Sequence, residues 1–176
     1  MQNSKTEEKA REIKVIRGDI TTLNIDAIVN AANCSLLGGG GVDGAIHRAA
    51  GPQLLETCRK LNGCNTGEAR ITPGFQLPAK YIIHTPGPIW YNGSHHEEEL
   101  LRACYTNSLA RATELHCQSI AFPCISTGVY GYPKREATQI AIDVVQAWSK
   151  ELPKTILFCC FTSDMFQLYQ ELLSPK

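Results

Sequence analysis

The chain has 176 residues, of which 43% are hydrophobic and 19% are charged, as expected for one globular domain with a sizeable core. Its 17 basic and 17 acidic residues balance to a formal net charge of zero. This balance predicts neither non-specific binding to nucleic acid nor electrostatic attraction to a membrane. No apolar run reaches the length of a membrane span, so we expect no transmembrane segment.

Residues 1–12 are polar and charged, and we interpret them as a flexible N-terminal extension rather than a signal peptide. Residues 13–176 contain no linker and no internal repeat, which predicts a single domain. The eight cysteines are scattered along the chain and form neither a CxxC pair nor a cluster with zinc-site spacing. Because several lie within apolar runs, we expect reduced, mostly buried thiols and a cytoplasmic protein.

Strand and helix patterns alternate along the chain from residue 13. The strands are short runs of β-branched and apolar residues, predicted at 13–17, 26–30, 68–72, 81–85, 119–122 and 155–161. The helices have apolar residues at helical spacing and are predicted at 42–50, 52–60, 97–115, 133–148 and 164–173. This alternation predicts an α/β fold with helices on both faces of a mainly parallel sheet.

Four consecutive glycines, Gly38–Gly41, lie between the second strand and the first helix. Glycine runs are costly to order, so they indicate a close approach of bare backbone, typically to a phosphate ahead of a helix. The run also gives a formal GxGxxG match that ends at Gly44. We disfavour a dinucleotide fingerprint because residues 30–37 separate the glycines from the strand, and no acidic residue follows on the next strand.

A second glycine-containing loop, Ser126–Gly131, follows the strand at 119–122. The carboxyl ends of parallel strands meet at one edge of a sheet, and α/β proteins bind their ligands there. The two loops are therefore predicted to face one cleft. Tyr130, in the second loop, suits either the covering of a sugar or ordinary packing.

Several polar residues beside these loops have both a structural and a chemical interpretation. Asp43 is either a helix cap or a carboxylate that orients a water molecule. Asn30 and Asn33 either hold a turn or bond a sugar hydroxyl. Asp19 is either a turn residue or an acceptor for an exocyclic amine such as that of adenine. His84, in an apolar strand, is expected to be buried and hydrogen-bonded.

Six motifs in this order resemble the macro domain family, of the MacroD type, and within it the bacterial O-acetyl-ADP-ribose deacetylases. The motifs are Gly18-Asp19-Ile20-Thr21, Asn30-Ala31-Ala32-Asn33, Gly38 to His47, Arg48-Ala49-Ala50-Gly51-Pro52, His84-Thr85 and Ser126-Thr127-Gly128-Val129-Tyr130-Gly131-Tyr132-Pro133. The resemblance covers residues 13–173. It implies a three-layer α/β/α sandwich with a central mixed sheet, which binds ADP-ribose at one rim.

The resemblance also implies a role for individual residues at the adenine and distal ribose. Asp19 would accept the adenine amino group, with the Ile20 backbone beside it. Asn33 would bond the distal ribose, and Asp43 would be the catalytic carboxylate, assisted by Asn33. Phe161 is placed loosely near the adenine.

Backbone amides account for the implied diphosphate site. Gly41 and Val42 would offer theirs around the diphosphate and distal ribose. The second loop would form the opposite phosphate clasp, with Tyr130 against the distal ribose. The clasp residues are Ser126, Thr127, Gly128, Val129 and Tyr130.

The implied reaction is ester hydrolysis at the distal ribose, which releases acetate from O-acetyl-ADP-ribose or ADP-ribose from an acidic side chain of a protein. The implied partners are therefore ADP-ribose, its esters and mono-ADP-ribosylated proteins. A water molecule between Asp43 and a diphosphate oxygen would attack, and the sequence leaves open which of the two accepts the proton. We expect no cofactor and no metal, because the glycine loop lacks the Cys/His ligands of the zinc-binding subtype.

Two other functions are considered. A non-catalytic ADP-ribose reader is the main alternative, and Asp43 beside an intact glycine loop favours the enzyme over it. A dinucleotide-dependent oxidoreductase is disfavoured by the misplaced glycines and the missing acidic residue.

Overall fold

The computed structural model describes residues 10–174, which form one six-stranded mixed sheet and five α-helices. The strands are β1 Glu12–Arg17, β2 Ala27–Ala32, β3 Arg70–Pro73, β4 Tyr81–Pro86, β5 Ser119–Phe122 and β6 Thr155–Cys160. The helices are α1 Gly41–Ala50, α2 Pro52–Leu61, α3 Glu97–Glu114, α4 Lys134–Ala147 and α5 Ser163–Leu173, with a 3-10 helix at Ile20–Thr22. Each predicted element is present, with ends that differ by at most two residues.

The sheet order is β1-β6-β5-β2-β4-β3. All neighbouring strands are parallel except the edge strand β3, which runs antiparallel to β4. The predicted mainly parallel sheet is therefore confirmed. Because β1, β2, β5 and β6 point the same way, the loops that follow them emerge at one edge of the sheet.

Alternate strand residues pack against helices on opposite faces of the sheet. On one face, Val29, Phe122 and Phe158 pack in a single apolar cluster with residues of α3, α4 and α5. On the other face, Ile28 and Ile82 pack with residues of α1 and α2. These three layers confirm the α/β/α sandwich that the sequence resemblance implied.

The cysteines are mostly inside these layers. All eight are free thiols and six of them are buried, whereas Cys34 is exposed. The prediction of reduced, mostly buried thiols is confirmed, and the cytoplasmic location stays a prediction. No helix within residues 10–174 is long and apolar enough to cross a membrane.

The folded domain begins earlier than residue 13. Glu12 is the first residue of β1, and its backbone N–H donates to Lys154 O at 2.8 Å. The Arg11 guanidinium donates to the carbonyls of Trp148 (2.7 Å) and Pro153 (2.8 Å), and also to that of Lys150. Arg11 and Glu12 therefore belong to the domain rather than to an extension, and residues 1–9 lie outside the described range.

Replacing Arg11 with Ala is expected to lower the free energy of unfolding by about 1–3 kcal/mol, because partly buried carbonyls lose a charged donor. Urea unfolding measures this change. Lys14→Ala is the control, since the exposed Lys14 forms a surface ion pair with Glu12 and its loss should change the free energy by less than about 0.5 kcal/mol. If both substitutions lowered the free energy of unfolding equally, the Arg11 hydrogen bonds would not contribute to the stability of the domain.

Candidate functional site

The glycine loop lies directly against helix α1 at one close contact. A Cβ atom on Gly44 would overlap the carbonyl oxygen of Gly39, so only glycine allows this approach. Gly41, the first helical residue, has a φ of 56°, a left-handed conformation that glycine adopts without strain. The first N–H groups of α1 have no intrahelical acceptor, and no side chain caps this helix. The loop therefore presents free amides at the positive end of a helix, as a phosphate site requires.

Asn33 holds the turn that leads into this loop. Its Oδ1 accepts hydrogen bonds from Ser35 N at 3.1 Å, Ser35 Oγ at 2.6 Å and Leu36 N at 3.2 Å. Its Nδ2 donates to Gly38 O at 2.8 Å, which leaves one amide hydrogen for another acceptor. The structural interpretation of Asn33 is therefore correct, and one donor remains free for a ligand.

The Asp43 carboxylate is buried at the base of the glycine loop, with only 4% of the residue exposed. Its Oδ1 accepts from Asn30 Nδ2 at 2.9 Å and lies 3.5 Å from His47 Nε2. Burial raises the pKa of Asp43 above its ordinary value, while the Asn30 hydrogen bond and the His47 charge oppose that rise. Asp43 is thus a desolvated carboxylate and a stronger base than one in water.

The second carboxylate oxygen of Asp43 faces the glycine loop beside Asn33. A Cβ atom built on Gly39 would lie 3.2 Å from Asp43 Oδ2 and 3.3 Å from Asn33 Nδ2. An acceptor and a donor thus both lie beside the α-carbon of Gly39, which carries no side chain. The two residues that the sequence nominated as the catalytic pair are brought together.

Asp43 has a hydrogen-bond partner, Asn30, that no sequence pattern indicated. Asn30 is fully buried and is not available to a sugar hydroxyl, because its Nδ2 donates to Asp43 and lies 3.1 Å from His84 Nδ1. His84 is fully buried as well, and its Nε2 lies 2.9 Å from Thr72 Oγ1. His84 is hydrogen-bonded in the core as predicted, and Thr72 carried no signal in the sequence.

The second loop is held by hydrogen bonds at its two ends, while the backbone N–H groups between them have no backbone acceptor among the described residues. Ser126, with a φ of 67°, is buried and donates from Oγ to Pro88 O at 2.8 Å. The loop closes through Tyr132 N to Ser126 O at 2.9 Å and Gly131 N to Gly128 O at 3.0 Å. Within residues 10–174, the backbone N–H groups of residues 127–130 donate to no backbone acceptor. These amides can cradle an anion.

The two loops leave the sheet at the same edge, because β2 and β5, the strands that precede them, are parallel neighbours. In the second loop, burial raises the pKa of the Tyr130 hydroxyl, and nearby negative charge, including that of Asp43, raises it further. Tyr132 instead is buried against Trp90, with ring centroids 4.6 Å apart.

The opposite end of the same edge carries Asp19 and Phe161. Asp19 caps the 3-10 helix, where its Oδ1 accepts from Thr21 N at 3.0 Å and Thr21 Oγ1 at 2.7 Å. The side chain of Ile20 is buried, so only its backbone can reach a ligand. Phe161 follows β6, the neighbour of β1, and is 79% exposed. An exposed aromatic ring beside a carboxylate suits a stacked base with an amino group.

The structure also bears on metal binding. Among the described residues, no three His, Cys, Asp or Glu side chains form a group that could hold a metal ion. The polar groups at this edge of the sheet include the carboxylates of Asp43 and Asp19 and the free backbone amides of the two loops. This combination suits a ligand with a central diphosphate and neutral groups at both ends.

Known proteins resemble this chain along nearly its whole length. A macro domain-containing protein of Chlorobaculum tepidum is 59% identical and covers 92% of this chain and 95% of its own. A Salmonella newport protein named O-acetyl-ADP-ribose deacetylase is 52% identical, with 93% and 95% covered. Human ADP-ribose glycohydrolase MACROD2 is 54% identical over 91% of this chain, which corresponds to 39% of that longer protein.

Solved structures share the fold and carry nucleotides. The Oceanobacillus iheyensis macrodomain with ADP superposes with a TM-score of 0.85 at 47% identity, covering 90% of this chain and 88% of that one. The Trypanosoma brucei macrodomain in complex with ADP-ribose gives 0.86 at 46% identity, covering 93% and 69%. The macro domain family model matches residues 29–141. The two glycine loops at one sheet edge, the fold and these relatives agree, and the chain belongs to the macro domain family.

Proposed function

We propose that this protein hydrolyses esters of ADP-ribose at the distal ribose. Its substrates are O-acetyl-ADP-ribose, which yields ADP-ribose and acetate, and proteins mono-ADP-ribosylated on acidic side chains. In both substrates the bond to be broken joins an acyl carbon to a ribose oxygen. The named activities of the Salmonella and human relatives support this proposal.

One observation carries the proposal: a buried carboxylate with a raised pKa opens onto the phosphate-binding loop. A protein that only binds ADP-ribose has no need for a desolvated charge at that place, because burial of a charge costs free energy. Asp43 is held by Asn30 and directs its second oxygen toward Gly39 and Asn33. This arrangement suits general-base chemistry on a water molecule next to the diphosphate.

The chemistry follows from this geometry. The amides of the two loops hold the diphosphate, and Tyr130 and Asn33 orient the distal ribose. A water molecule between Asp43 and a diphosphate oxygen attacks the acyl carbon and gives its proton to one of these two acceptors. The carbon–oxygen bond to the ribose then breaks, and the ribose oxygen leaves with a proton. The step as proposed uses protein groups, substrate and water, with no metal or cofactor.

Asp43→Asn is expected to lower kcat for O-acetyl-ADP-ribose by roughly 100-fold or more, the range of general-base contributions, while ADP-ribose still binds. Acetate release, with and without a chelator, measures kcat, and calorimetry measures the affinity for ADP-ribose. Asp143→Asn, on the exposed side of α4, is the control and should keep full activity. Unchanged hydrolysis in Asp43→Asn would leave the non-catalytic reader as the better interpretation.

The same substitution should stabilise the fold at neutral pH. Because burial raises the pKa of Asp43 in the folded state, the charged form destabilises that state above this pKa. The gain in unfolding free energy of Asp43→Asn over wild type should therefore be largest above the folded-state pKa of Asp43. It should vanish as the pH falls below the unfolded carboxyl pKa of about 3.9, where both states are protonated. Urea unfolding at several pH values measures it, and a gain that grows toward low pH would contradict the raised pKa.

Asp19→Asn separates adenine binding from helix capping. The amide keeps Oδ1 as the acceptor for Thr21 but replaces the other oxygen with a donor, which opposes an amino group. Loss of one charge-assisted hydrogen bond should weaken ADP-ribose binding by about 1.5–3 kcal/mol in calorimetry. Asp19→Ala should weaken it at least as much. An affinity that falls only in Asp19→Ala would assign Asp19 to capping alone.

A further inference from the structure

Three buried polar side chains form a row beneath helix α1, within an apolar layer. Asn30, His84 and Thr72 are each at most 1% exposed. They belong to β2, β4 and β3, so the row runs from the cleft across three strands to the sheet edge. Burial of polar groups at such depth costs free energy unless each group is hydrogen-bonded. Which atom donates in each contact of the row is therefore decisive.

Strand register explains how the row forms. Asn30 is directly paired with His84 in the parallel β2–β4 ladder. Thr72 is paired with Ile82 across the β3–β4 ladder, so it is the diagonal neighbour of His84 on the same face. That face is the one covered by α1, which supplies Asp43.

Asp43 sets the orientation of the Asn30 amide. An ionised carboxylate only accepts hydrogen bonds, so the group facing Asp43 Oδ1 at 2.9 Å must be the NH₂ of Asn30. The reversed amide would place its oxygen against the carboxylate. The second hydrogen of the same nitrogen points to His84 Nδ1, at 3.1 Å. Asn30 Oδ1 is buried and has no partner among the described residues, so the amide is oriented through its nitrogen alone.

The amide in turn fixes the histidine tautomer. Because Asn30 donates to it, His84 Nδ1 must be the acceptor nitrogen of a neutral ring, and Nε2 must carry the proton. Nε2–H then donates to Thr72 Oγ1 at 2.9 Å. Burial lowers the pKa of His84 to about 3, and the nearby His47 charge lowers it further, so the ring stays neutral at working pH.

We propose that Thr72 and His84 are positioning residues for hydrolysis: the Thr72 hydroxyl accepts from Nε2–H of His84 and so stabilises the tautomer whose Nδ1 holds the Asn30 amide toward the Asp43 carboxylate. Neither residue contacts the substrate, and both act on the reaction through Asn30. The inference rests on the proposed function insofar as Asp43 serves as the base. The tautomer of His84 is a property of the protein alone and can be tested without any activity.

Thr72→Val tests the proposal, with Thr72→Ser as the matched control. Valine keeps the shape of threonine but offers no acceptor to His84 Nε2–H, whereas serine keeps the hydroxyl. We expect Thr72→Val to lower kcat for O-acetyl-ADP-ribose roughly tenfold, the rate equivalent of one net hydrogen bond. KM and the affinity for ADP-ribose should stay within about twofold, since the ligand contacts are untouched. Thr72→Ser should retain the wild-type kcat.

Nitrogen-15 NMR of the histidine rings supplies the second readout. In the wild type, His84 should carry its proton on Nε2 and keep Nδ1 unprotonated at neutral pH. In Thr72→Val the fraction protonated on Nδ1 should rise. This measurement needs no variant for its main result, so it stands even where Thr72→Val does not fold.

A purely structural role would lower the stability of Thr72→Val without changing the kcat of the folded enzyme, which would overturn the proposal. Equal kcat losses in Thr72→Val and Thr72→Ser would also overturn it, because the hydroxyl would then not be the cause. Protonation of wild-type His84 on Nδ1 would reject the proton assignment. A wild type that hydrolyses no ester, with His84 protonated on Nε2, would refute the proposed function while leaving the hydrogen-bonded row intact.

Discussion

Burial of the Asp43 carboxylate is the constraint around which this site is arranged. A carboxylate that is 4% exposed must be offered donors by the protein, and the sheet supplies one through Asn30. The network extends beyond the cleft, because Asn30 is itself hydrogen-bonded to His84, and His84 is hydrogen-bonded to Thr72. The polar row thus interrupts an otherwise apolar layer made by Ile28, Ile82 and their neighbours from α1 and α2.

The topology explains why two distant loops can serve one ligand. Parallel strands β1, β2, β5 and β6 deliver their following loops to one edge of the sheet. The free amides of both loops then provide the positive ends of backbone dipoles. A chain with no net charge can in this way attract a diphosphate through backbone dipoles.

Much of the fold and part of the candidate site could be predicted from the sequence. Hydrophobic periodicity located every strand and every α-helix that the structure describes, and the glycine runs indicated both loops, because these signals are local. The position of Asp43 at a helix start was evident, and so was the proximity of His47 at i+4 on the same helix face, but its hydrogen bond to Asn30 was not. Asn30, His84 and Thr72 come together only through strand register, and Thr72 lies twelve positions from His84 on an antiparallel edge strand. The N-terminal boundary was missed for the same reason, since Arg11 bonds carbonyls some 140 positions away.

The contact between Gly39 and Gly44 has a consequence for the thermodynamics of ligand capture. The carbonyl of Gly39 packs against Gly44 of the helix where any side chain would collide, so this contact restrains the loop against α1. Asn33 braces the same segment through four hydrogen bonds. Preorganisation of this kind spares the complex much of the conformational entropy loss that four flexible glycines would otherwise impose at the moment of association. The entropic cost of the glycines is met once, during folding, and is not repeated with each catalytic cycle.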